Sequence, residues 1–340
     1  MNHRHKHYRN FVLPSLVAAL LTAAFVPCRS TVAGHLPLTT VADVPLSGHT
    51  TRWDYASLDP ASHHLFIAHL GDSVVTVFDT LQQKVIADIP GISHVHGVLV
   101  VPALDRVYAT ATGTNELVVI DSKTFKILAR VPAGDYPDGM AYAPGAHKLY
   151  VSDEHGGTDT VIDVRSNTRV ATIPLGGEVG NSEYDSVSKH IFANVQTRQQ
   201  LVEIDPATDK IVSRVDLPGA EGNHGLYIDS ASQLAFIACE GNSRLLVLDL
   251  TSRRVLSSFD VAKDPDVLAF DAPLGWLYVA GESGEVSLFK VQGQVVNKLG
   301  TAWLGPNAHV VAADPTSHRA YFPLKDLKGK PVLRITQAQP

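Results

Sequence analysis

Seven residues spaced almost evenly along the chain constrain its fold more than any other feature: Asp54, His96, Asp138, Gly180, His224, Asp266 and His309. Each stands twelve residues before an aromatic that opens an apolar run: Phe66, Tyr108, Tyr150, Phe192, Phe236, Tyr278 and Tyr321. Successive members are 42, 42, 42, 44, 42 and 43 residues apart. So steady a period means one supersecondary unit repeated seven times, and its length is that of a propeller blade.

The inside of each repeat has one order. In the second, an inner segment from His96 to Val101 meets a turn, and a second apolar stretch at 107–110 leads to a polar loop. A third stretch at 117–120 ends in Asp121-Ser122, and a fourth covers 126–131. Four short β-rich segments separated by turn residues make an antiparallel meander. The ends complement each other: residues 40–45 resemble the fourth strand at 84–90, while the last repeat runs out after its third, at 332–336. The expectation is an all-β, seven-bladed β-propeller of four-stranded antiparallel blades, a single domain over residues 34–340. An N-terminal strand closes the ring and removes its open sheet edges.

Residues 1–33 read as a signal peptide. They carry Arg4, Lys6, Arg9 and Arg29 with no acid, an apolar stretch from Phe11 to Val26 and a small-residue cleavage site at Thr31-Val32-Ala33. The mature chain is then expected to be periplasmic or secreted, with no membrane attachment after cleavage and Cys239 as its lone thiol. Removing those residues leaves 24 basic against 34 acidic side chains. A body of that sign offers no electrostatic footprint for nucleic acid or for anionic lipid.

Segments such as Leu149-Tyr-Val-Ser152, Leu117-Val-Val-Ile-Asp121 and Asp205-Pro-Ala-Thr-Asp-Lys-Ile-Val212 resemble the YVTN-repeat, or YncE-like, β-propellers of exported bacterial proteins. The resemblance covers about residues 40–336. It implies the seven-bladed architecture and export, and brings no catalytic signature with it.

In a propeller the first residues of each inner strand sit at the mouth of the central channel, so the seven-residue column is expected to form a ring there. Six of its members can bind a metal ion or a proton. Polar inner-strand starts also arise simply from meeting water and capping backbone groups. Three histidines at equivalent positions are harder to explain as lining alone, because His is an uncommon residue and imidazole is the commonest metal ligand. Imidazole with carboxylate suits a transition-metal ion, and His224, Asp266 and His309 are the expected metal ligands. Asp54, His94, His96, Asp138 and Asn181 are the expected ligand-binding residues. His94 and His96, as i and i+2 on a strand, should share a face. His96 and Glu183 are the candidates for moving a proton, the latter because a carboxylate at a strand position inside the repeat would be buried and its pKa raised. Trp53 and Tyr136, beside the column, can either stack on a ligand or pack the blades.

No nucleophile elbow, phosphate loop or dinucleotide fingerprint occurs. The leading expectation is therefore a binding or scaffold protein that engages a small ligand, metal or protein partner at the channel mouth. The alternative is a metal-dependent hydrolase or lyase acting on a lactone or cyclic ester. A copper redox module would call for more histidines in the ring than three.

Overall fold

The computed structural model describes residues 36–340; the signal-peptide expectation for 1–33 lies outside the described residues. Twenty-eight strands, β1–β28 in chain order, form seven four-stranded antiparallel sheets. The inner strands are β2 (Ala56–Asp59), β6 (Val95–Val101), β10 (Pro137–Ala143), β14 (Val179–Tyr184), β18 (Asn223–Asp229), β22 (Pro265–Asp271) and β26 (Ala312–Asp314). Each packs against the next, and β26 packs against β2, so the seven sheets close into a ring. The seven-bladed propeller inferred from the period is the observed fold.

Burial explains why the period is so regular. There are seven apolar clusters, one for each pair of neighbouring blades. Phe66 packs towards Val98 and Ala109 of the next blade, and Phe236 towards Leu277 and Phe289 of the next. All seven aromatics that mark the repeat are buried. A single blade has nothing to cover its faces, so the unit is stable only in the array.

The seventh interface needs the chain ends. Strand β1 (Leu38–Pro45) pairs antiparallel with β28 (Val332–Ala338), from Leu38 opposite Ala338 to Pro45 opposite Val332. Arg334 clamps Asp43 with two hydrogen bonds of 2.8 and 2.7 Å. The ring closes as the sequence suggested. The outermost strand of every blade also carries a register shift against its neighbour, at the same place in each: opposite the step after Val77, Val119, Val161, Glu203, Val247 and Leu288 of the third strand, and at Thr40 in β1. Bulges on edge strands spoil the template for pairing with another chain.

A second bulge matters more for function. In β6, β10, β14, β18 and β22 the register slips between the residue before the column and the residue two after it, as between Val95 and Val98. Two residues there face one on the neighbouring strand. The bulge bends the strand and re-aims the column side chain. It also brings blades close: a Cβ on Gly225 would stand 2.0 Å from the carbonyl oxygen of Asp266 in the next blade. Gly225→Ala should cost about 1–3 kcal/mol in urea unfolding through overpacking. Gly145→Ala, with nothing within 4 Å of the new methyl, serves as the control. Equal stabilities would mean that the close approach does not constrain the fold.

Candidate functional site

The bulges gather the column at one end of the channel, around a basin of about 580 Å³. Its wall includes seven carboxylates (Asp54, Asp138, Glu154, Glu240, Asp264, Asp266, Glu282), the imidazoles of His94, His96 and His224, and a single guanidinium, Arg52. His309 completes the column and is fully buried. Of the expected ligand-binding residues, Asp54, His94, His96 and Asp138 line this basin.

Two histidines are oriented by the same device. The residue two before the column is left-handed in five blades: His94 (φ 44°), Tyr136 (φ 60°), Gly222 (φ 59°), Asp264 (φ 51°) and Asn307 (φ 58°). At His94 and Asn307 this turn presents the carbonyl to the following histidine. Nδ1–H of His96 donates to the His94 carbonyl at 2.9 Å, and Nδ1–H of His309 to the Asn307 carbonyl at 3.1 Å. With Nδ1 protonated, each Nε2 carries its lone pair into the ring. The same turn places His94 outside the regular strand, although both His94 and His96 line the basin. Strand alternation does not apply across a left-handed residue, so His94 is an exposed rim residue whose carbonyl, not its ring, serves His96.

The carboxylates are buried among these imidazoles. His96 Nε2 is 3.8 Å from Asp54 Oδ2, and His309 Nε2 is 3.8 Å from Asp266 Oδ2. Gly180 leaves no side chain in the fourth blade, and a Cβ there would lie 2.8 Å from the Cα of His224. His224 Nε2 reaches 3.5 Å from Asp138 Oδ2 in the third blade and 3.7 Å from Asp266 Oδ1 in the sixth. The expected metal set of His224, Asp266 and His309 is thus arranged about Asp266. Two triplets place one ligand atom each within 4.8 Å of one another: Asp54, Asp266 and His309, and His224, Glu240 and Asp266.

Arg52 is the internal cation of the basin. Its guanidinium bonds Glu282 and stands 3.5 Å from Asp54 and 3.9 Å from Asp266. Even so, Asp54 Oδ2, Asp138 Oδ1, Asp266 Oδ1 and His309 Nε2 are buried without a hydrogen-bond partner. Burial raises the carboxyls of Asp54, Asp138 and Asp266 above the ordinary range. It pushes His96 down to about 4. Burial also opposes the charged form of His224, but Glu240, Asp266 and Asp138 outweigh it and hold that imidazole up at about 9.

The floor of the basin is a residue that the sequence reading passed over. Tyr55 follows the column in the first blade, where the second, third and fifth blades have Gly97, Gly139 and Gly225. Its hydroxyl donates to Asn181 Oδ1 at 2.8 Å and lies 3.3 Å from His224 Nε2. A large aromatic where other repeats keep glycine was the available signal. Beyond Tyr55 the channel continues as a second cavity of about 290 Å³, lined by Asn181, Glu183, Leu226, Tyr227 and Phe270 among others. Asn181 touches the basin only through Tyr55. Glu183, expected to serve a metal at the column as proton carrier, instead belongs to this inner chamber, because it lies three residues further along the strand.

Of the two aromatics beside the column, Trp53 packs: it is fully buried and stacks on His69 at 3.7 Å between ring centres. Tyr136 lines the basin, with its hydroxyl 3.1 Å from His96 Nε2 and its ring against His155.

Glu183 is half-buried in the inner chamber rather than fully enclosed, and desolvation there pushes its carboxyl up to about 8, against about 4.5 for the free side chain. Between those values the folded chain holds a proton that the unfolded chain has released, so this group lowers stability as pH rises through that window. Glu183→Gln should match the parent near pH 5 and exceed it in urea unfolding at pH 8.5. A gap that is constant across this range would contradict the assignment.

No family model and no curated protein matches the chain. Solved structures do. Hydrazine synthase of Kuenenia stuttgartiensis aligns at 15% identity over 90% of this chain and 98% of the other, with a TM-score of 0.71. Virginiamycin B lyase from Staphylococcus aureus aligns at 11% identity over 88% and 99%, with a TM-score of 0.73. U3-55K aligns at 11% over 86% and 98%, also at 0.73. Identities this low show a shared β-propeller fold and nothing further.

Proposed function

We propose that this chain is an exported binding propeller of the YVTN-repeat kind that holds a divalent transition-metal ion in the acidic basin at the column end of its channel. The observation that carries this is the set of buried, partnerless ligand atoms: Asp54 Oδ2, Asp266 Oδ1 and His309 Nε2. A buried polar atom without a partner costs about 1–3 kcal/mol; Asp54 Oδ2 and His309 Nε2 lie on one side of Asp266, and its Oδ1 faces His224 on the other, and such atoms ask for a cation. The mixture of imidazole nitrogen and carboxylate oxygen suits zinc and its first-row neighbours better than calcium. The carbonyl bond to His309 Nδ1 is the outer support that metal-binding histidines ordinarily have.

The volume of the basin favours a second reading, in which the ion serves a small organic substrate. A cavity of about 580 Å³ is far larger than an ion and its waters, and lies within the usual range for small-molecule sites. Beside it the His96–Tyr136 pair offers a proton-handling group at 3.1 Å. A metal-dependent hydrolase or lyase acting on a lactone or cyclic ester is the activity to test. One of the fold relatives is by name a lyase, an analogy of fold only.

Metal analysis of untagged protein beside a His224→Ala/His309→Ala double variant tests the principal reading. Near-stoichiometric zinc or another transition metal in the parent, lost in the variant, is expected. The same metal content in both would sink it. Arg52 gives an independent handle. Its guanidinium competes for the same carboxylates, so Arg52→Gln should melt lower without metal yet bind zinc at least about tenfold more tightly. Unchanged zinc affinity in titration calorimetry would remove Arg52 from the site.

A further inference from the structure

We infer that the basin is a dinuclear metal site in which the carboxylate of Asp266 bridges two divalent transition-metal ions. The inference rests on the metal-binding reading above and adds the number of ions and the ligands of each. The first ion is held by Asp54, Asp266 and His309, the second by His224, Glu240 and Asp266.

Asp266 makes the case. Its two oxygens face different imidazoles, Oδ1 at 3.7 Å from His224 Nε2 and Oδ2 at 3.8 Å from His309 Nε2. A carboxylate that directs one oxygen to each of two imidazoles is placed to bridge two metal ions. In two-metal sites the ions stand about 3.5–4 Å apart. Neither contact is short enough for a hydrogen bond. With metal–ligand bonds of about 2.0–2.1 Å, two ligand atoms on a tetrahedral ion lie about 3.3 Å apart. The observed gaps need to close by only a few tenths of an ångström to take an ion on each side.

Partnerless atoms occur on both sides. Asp54 Oδ2 and His309 Nε2 belong to the first ion, and Asp266 Oδ1 faces the second. All three residues are more than nine-tenths buried. Charge points the same way. Seven carboxylates line the basin against one guanidinium, an excess of acid that favours bound cations. Asp138, 3.5 Å from His224 Nε2 with Oδ1 unpartnered, stands beside the second ion.

Zinc stoichiometry by native mass spectrometry on the folded chain tests the inference. Two zinc ions per chain are expected in the parent, and one in each of His309→Ala and His224→Ala. Asp266→Asn should weaken both. One ion in the parent, lost in either histidine variant, would overturn the dinuclear site while leaving the metal-binding reading intact. No zinc at all would overturn both. The parent loaded with manganese(II) gives a check that needs no variant. An exchange-coupled paramagnetic resonance spectrum is expected at two equivalents, and an isolated six-line spectrum at saturation would overturn the bridge.

Discussion

A four-stranded blade can bury its faces only against other blades, so everything in this molecule depends on closing the seventh interface with strands from opposite ends of the chain. Pairing of β1 with β28 supplies the last sheet, and the Arg334–Asp43 clamp fixes it. Closure also sets the circumference of the channel. Once seven inner strands must fit one ring, the column residues of non-adjacent blades come within reach, as His224 and Asp138 do across the fourth blade. Ring closure is therefore a condition for the site as well as for the core. The two are physically distinct: the apolar clusters lie between the blades, while the polar side chains face the axis.

The basin works against the stability of that frame. Carboxylates buried at the axis lose hydration, and one guanidinium cannot satisfy all of them, which leaves Asp54, Asp138 and Asp266 each with an unpaired oxygen. Burying unpaired polar atoms is unfavourable, and a fold needing only a closed channel could fill it with apolar side chains. The inner chamber beyond Tyr55 is itself a cavity, but apart from Asn181 and Glu183 its wall residues are mostly apolar or small. A cluster of buried ionisable groups in a cleft is a candidate functional site.

How much of this was legible in the sequence differs from residue to residue. The period was legible because every repeat must bury the same aromatic, and Phe66, Tyr108 and their equivalents do. The column was legible for the same reason, since equivalent positions in a closed array occupy equivalent places. What the sequence did not reveal is local backbone geometry. The bulge at Val95–Val98 and the left-handed turn at His94 set the backbone around His94 and His96; Gly97 marks the bulge only weakly, and no residue type signals the turn. Non-glycine residues such as Tyr136 and Asp264 take the left-handed conformation there, so the usual glycine marker is missing. Depth along the strand was also unreadable: Glu183 is three residues from Gly180, yet Tyr55 separates its chamber from the basin.

Tyr55 and Arg52 show how differences between repeats, rather than their likeness, build the site. Both come from the first blade, which departs from its neighbours at two positions. Where other blades place a left-handed residue before the column, the first has Arg52, whose long side chain spans Asp54, Asp266 and Glu282. Where three blades have glycine after the column, the first has Tyr55, which crosses the channel to Asn181 and His224. Asn181 is itself an exception, the fourth blade's residue at that same glycine position. Seven identical blades would give an open tube with a symmetric ring. These three substitutions close the tube and put the basin's guanidinium, Arg52, on one side of it. The remaining carboxylates and imidazoles are left facing one another around Asp266.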